Sequence, residues 1–121
     1  MKAAALMVFT VTHGNIRIKV RVLPTVRDVH REFVAGYARP RAGKIVHAFF
    51  APTTHPSAKH LGTIVLPTNG RLAELIPHEV THAVMHRLGG VHCTDDESLA
   101  TAVGVLSARI ARKIEQGVIY E

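Results

Sequence analysis

Apolar positions near the start of this chain form one continuous run, then recur every second residue from Ile16 to Val22, and further on every third or fourth. Residues 3 to 12 are apolar and partly β-branched, the composition of a buried strand. His13-Gly14-Asn15 is a turn signal. Beyond it Ile16, Ile18, Val20 and Val22 alternate with Arg17, Lys19 and Arg21, which places one face in a core and leaves the other basic. The two runs predict a hairpin. After Pro24 the period lengthens, with Val26, Val29, Phe33 and Val34 at helical spacing up to Gly36. A loop over 39–43 follows, then a strand over 44–50 and a second loop over 51–59, broken by Pro52 and Pro56. Residues 61–66 read as a short strand ended by Pro67.

Two helices complete the pattern. The first spans about 71–88, between the turn Thr68-Asn69-Gly70 and the stop signal Gly89-Gly90. Pro77 removes one backbone hydrogen bond inside it, so the helix either kinks there or begins its regular part there. The second spans about 95–117 and ends at Gly117. One of its faces carries Leu99, Val103, Leu106 and Ile110. The opposite face carries the small residues Ala100, Thr101, Gly104 and Ala108 together with Glu97. Small residues let two helix backbones approach closely, so this face is expected to lie against the preceding helix and to carry Glu97 towards it.

The order of elements predicts an α+β fold, a single domain over 1–121 with a small, mostly antiparallel sheet packed on two helices. An apolar content of 47% with 20% charged residues fits a folded globular chain and excludes a disordered one. Cys93 is the only cysteine, so no intramolecular disulfide can form and nothing points to an oxidising compartment. The apolar start of the chain stops at Thr10 without a cleavage-site pattern, and no run reaches membrane-spanning length. A cytoplasmic protein without a membrane partner is the expectation. The formal charge is +6, with basic residues scattered from Arg17 to Lys113 and only 5% aromatics. Such a charge favours acidic partners, nucleic acid among them, without specifying one.

Chemistry concentrates in His78-Glu79-Val80-Thr81-His82, an HExxH sequence on the first of the two long helices. Positions i and i+4 lie on one face about a turn apart, so both imidazoles can reach one metal ion. Glu79 then stands where it can accept a proton from water activated by that metal. The plain alternative is a surface helix that happens to carry histidines. A catalytic zinc takes three protein ligands as a rule. His86 continues the ladder but lies about 12 Å along the axis from His78, too far to share the ion. Met85 and Leu88 stand where a metzincin needs glycine and histidine, which excludes that subclass. Glu97 is the leading third candidate, with His92 and Asp96 behind it. The loop over 89–94 spans at most about 20 Å, enough to bring the chain back towards the histidines. Thr94-Asp95-Asp96-Glu97 also has the form of a capping box, in which Glu97 would bond only the backbone.

His78-Glu79-Val80-Thr81-His82, followed after a short loop by Asp96-Glu97-Ser98-Leu99-Ala100, resembles the gluzincin arrangement of HExxH plus a glutamate from the next helix. It is especially similar to the small metallopeptidases of bacteriophage and prophage genomes, over roughly residues 61–117. The resemblance implies a zincin fold and a Zn2+ cofactor held by His78, His82 and Glu97. It also implies Glu79 as general base, a peptide or protein substrate, and an antiparallel edge strand over 63–66 to pair with it. The downstream segment departs from the thermolysin-like NExxSD pattern. A donor to the oxyanion is expected in such sites, with His86, His92, Tyr37 and Tyr120 as candidates. The competing reading is a zinc-bearing module that is not catalytic and that binds nucleic acid or a host protein, for which Arg17, Lys19 and Arg21 are the best support.

Overall fold

Alternation in the first part of the chain does become a hairpin. In the computed structural model, which describes residues 4–37, 43–53, 60–87 and 96–117, strand β1 (Met7–His13) pairs antiparallel with strand β2 (Ile16–Leu23). The register closes at His13↔Ile16 and leaves Gly14-Asn15 as a two-residue turn, with Gly14 at φ +59°. A tight hairpin turn needs that left-handed conformation, and glycine adopts it at no steric cost.

Helix α1 (Val26–Gly36) begins where Thr25 and Asp28 form a reciprocal cap. The Asp28 backbone N–H donates to Thr25 Oγ1 at 3.1 Å, and the Thr25 N–H donates to Asp28 Oδ2 at 3.1 Å. Two orphan donors of the helix start are thereby satisfied. Strands β3 (Phe49–Pro52) and β4 (Gly62–Pro67) complete a four-stranded sheet of order β1-β2-β4-β3. β4 runs parallel to β2 and antiparallel to β3, so two of the three pairings are antiparallel. The fold is α+β, with helix α2 (Leu72–Arg87) and helix α3 (Asp96–Gln116) following the sheet.

Two expectations about strands are corrected. The strand expected over 44–50 lies at 49–52, and residues 44–48 have no strand partner. Pro52 can end it because β3 is an edge strand, where a missing N–H breaks no ladder. The strand expected as the free edge over 63–66 is interior: β4 has β2 on one side and β3 on the other. β3 crosses β4 closely at Gly62, where a Cβ would stand 2.3 Å from the Ala51 carbonyl oxygen. Only glycine permits that approach.

The sheet is covered on both faces. On one, Phe9, Ile18, Val20, Ile64 and Leu66 pack with Ile76, Val80 and Val84 of α2 and with Ala102, Leu106 and Ile110 of α3. On the other, α1 covers Leu23, Val65 and Phe49 with Val29 and Phe33. The face of α3 that packs is therefore the large apolar one. Ala100, Thr101, Gly104 and Ala108 are exposed, with nothing within 4 Å of where a Gly104 Cβ would be. The expectation that the small face meets α2 is overturned. Burial is favoured in proportion to apolar area, and leucine and isoleucine outweigh alanine and glycine by that measure.

The two faces predict opposite responses. Leu106→Ala should cost about 2–5 kcal/mol through its cavity. Gly104→Ala should stabilise by about 0.5–1 kcal/mol through helix propensity. Urea unfolding checks both, and a destabilising Gly104→Ala would mean that the small face is packed after all.

Candidate metal centre

Helical periodicity sorts the residues of α2 between core and surface. Ile76, Val80, Ala83 and Val84 point into the core. His78, His82 and His86, four residues apart, share the exposed face. Pro77 sits in the second turn of a helix that runs unbroken from Leu72, so the helix does not begin there. One turn later Thr81 Oγ1 donates to the Pro77 carbonyl at 2.7 Å.

The two motif histidines converge. Their Nε2 atoms are 3.3 Å apart, with ring centroids at 4.9 Å and planes at 78°. Two nitrogens held at zinc-ligand distances of about 2.0–2.1 Å and a tetrahedral angle would be about 3.3–3.4 Å apart. The 3.3 Å separation of the donor pair matches that spacing.

Glu79 lies beside them and is buried, 6% exposed. Its Oε2 is 3.9 Å from His78 Nε2. Burial raises its pKa above the ordinary carboxylate value, and the charges of His78 and His82 pull it back down. A carboxylate kept from water next to a pair of metal-type donors is suited to accept a proton.

A cleft of about 460 Å³ opens over these groups. His78, Glu79, His82 and His86 form its floor on α2. Phe33 from α1, Val46 and Ala48 from the segment before β3, and Phe49, Phe50 and Pro52 of β3 form its wall. The Val46 N–H donates to His30 Nδ1 at 3.0 Å, which fixes that segment against α1. The Phe50 and His86 rings lie 5.9 Å apart. Tyr37 packs its ring against Phe33 and Phe49, at 5.9 and 5.0 Å, and is not among the lining residues.

The structure thus brings His78, Glu79 and His82 together, and adds His86 from the expected oxyanion donors. It does not bring Glu97 to them. Glu97 is exposed and lines a separate depression beside the β1–β2 turn, with His13, Asn15, Ser98 and Thr101. The cause is the packing of α3 through its large apolar face, which turns the small face and Glu97 outward. Among the described residues no three His, Cys, Asp or Glu side chains gather as a metal site. Asp96 opens α3, while His92, Cys93, Thr94, Asp95 and Tyr120 lie outside the described residues. Comparison with protein-family models, with curated proteins and with solved structures finds no match for this chain. No described helix is long and apolar enough to cross a membrane.

The aromatic wall was not anticipated from the sequence, although one signal was present. The chain has four phenylalanines, and three of them, Phe33, Phe49 and Phe50, line this cleft.

A pH dependence follows from the buried carboxylate. Between the ordinary carboxylate pKa and the raised one of Glu79, the folded protein binds more protons than the unfolded chain. Its stability therefore falls as pH rises through that window. Glu79→Gln is neutral throughout. The metal-free variant should melt higher than the metal-free wild type at neutral pH, with the gap closing as pH falls into the ordinary carboxylate range. Thermal melts across pH check this, and a gap that does not close would contradict it.

Proposed function

We propose that this protein is a zinc-dependent peptidase of the gluzincin-like kind, with His78 and His82 as zinc ligands and Glu79 as general base. The observation that carries the reading is the 3.3 Å separation of the two Nε2 atoms, with a buried carboxylate next in sequence. Held by His78 and His82, zinc would supply Lewis acidity, the chemistry that lowers the pKa of water and polarises a carbonyl. Glu79 accepts the proton of the attacking water and passes it to the leaving amine, a role served by its raised pKa. The cleft wall offers apolar surface to a side chain of the peptide. A peptide fits better than a smaller amide because the cleft runs along an edge strand, β3, whose outer backbone groups can pair with an extended chain.

Glu97 is the third ligand in this reading by resemblance alone. Its side chain lines a different depression from the histidines, so coordination through it requires the first turn of α3 to shift. Glutamine at this position is a far poorer zinc ligand and is similar in size. Glu97→Gln should therefore lower zinc affinity markedly with little change in the stability of the metal-free protein. Unchanged affinity would remove Glu97 from the ligand set.

Purified protein should hold about one zinc per chain, and His78→Ala/His82→Ala should hold almost none by elemental analysis. Digestion of a peptide library should show cleavage by the wild type and a loss of about 10²–10⁴-fold in Glu79→Gln at equal zinc loading. Equal cleavage by both would exclude Glu79 as base. Zinc retention without cleavage by either would leave a binding role in place of a catalytic one.

A further inference from the structure

On the far edge of the sheet from the cleft, β1 and α3 enclose a groove whose charged side chains are all cationic. Thr10 and Thr12 of β1 and Arg109, Arg112, Lys113 and Gln116 of α3 line it, and no carboxylate does among the described residues. The strip continues onto the sheet. Thr10 and Thr12 are the cross-strand neighbours of Lys19 and Arg17, so all four side chains stand on one face. α1 covers that face further along, where Arg21 pairs with Glu32. Arg21 is thus neutralised, and the basic stripe of β2 reduces to Arg17 and Lys19. Arg17, Lys19, Arg109, Arg112 and Lys113 form one band running from β2 over the β1 edge to α3, with the Lys113 ammonium 5.9 Å from the centroid of the Phe9 ring.

We propose that this band docks the phosphate backbone of double-stranded nucleic acid. The threonine hydroxyls and the Gln116 amide are additional donors for phosphate oxygens, the mixture that backbone contacts use. Three observations select this partner. Positive charge without an interleaved carboxylate matches a polyanion. Among the described residues no aromatic side chain lines the groove, so they offer no platform for stacking the bases of a single strand. Arg109 donates to the Thr12 carbonyl, which occupies an outward-facing backbone group of β1 that an acidic peptide would need for strand addition. Binding of this kind positions the protein on a duplex without reading its sequence.

The test is fluorescence anisotropy of the zinc-loaded protein with a labelled duplex DNA of mixed sequence. Five phosphate contacts give a slope of log K against log salt of about −4.5. Arg17→Ala/Arg112→Ala, two exposed positions, should make that slope shallower by about 1.8. Lys44→Ala/Arg71→Ala removes the same charge from exposed sites outside the band and should retain tighter binding than the first variant and a slope set by the intact band. Equal weakening by both pairs would overturn the location and leave only general basicity. Tighter binding to a single strand than to duplex would overturn the duplex assignment. Absence of duplex binding, with or without binding of an acidic peptide, would overturn the proposal. Far-UV circular dichroism of each variant establishes that the fold is retained.

Discussion

Burial of one stripe of α2 is the constraint on which the rest depends. Ile76, Val80, Ala83 and Val84 are held against Ile64 and Leu66 of the sheet and Leu106 of α3. Full burial of each larger aliphatic side chain contributes about 1.5–3 kcal/mol, so this face sets the rotation of the helix about its axis. Once the rotation is set, the positions of His78, Glu79 and His82 are not independent. The two histidines fall together on the outer face, and Glu79, one residue on from His78, falls at the boundary where solvent is excluded. A rotation that exposed Glu79 would also withdraw Val80 or Val84 from the core.

The same geometry places opposing electrostatic demands on one carboxylate. Burial disfavours its charged form, and the neighbouring histidines favour it. A cation held between the two Nε2 atoms would favour the charged form further, which couples the proposed metal to the protonation of the proposed base. The price is a less stable metal-free fold at neutral pH, the kind of local cost that functional sites impose on a domain.

Much of this was legible in the sequence because it is governed by local periodicity. Alternation from Ile16 to Val22, the helical spacing from Val26 to Val34 in α1, and the HExxH register on α2 are each decided within a few residues. The errors arose where the decision is global. Ile45 and Val46 are β-branched but find no strand partner, while Pro52 does, because β3 is an edge strand. Strand order is a property of the whole sheet, so β4 could not be recognised as interior from its own residues. Small residues on α3 signal close approach in the sequence, but the area that a face buries decides which one packs, and that choice sets Glu97 away from the histidines. The aromatic wall draws on α1 and β3, which are distant in sequence, and only the fold makes them neighbours.

The protein is thus organised around two edges of one sheet. β3 borders the histidine cleft, and β1 borders the basic band. The central claim concerns the first edge: a helix rotated by its apolar face presents two imidazoles at the spacing of one metal ion. X-ray absorption at the zinc edge tests it most directly, on wild type and His82→Ala loaded with one equivalent of zinc. The account predicts nitrogen ligands at about 2.0–2.1 Å with outer-shell scattering from two imidazoles in the wild type, and from one fewer in the variant. Identical spectra from the two proteins, or zinc without imidazole scattering in the wild type, would contradict it.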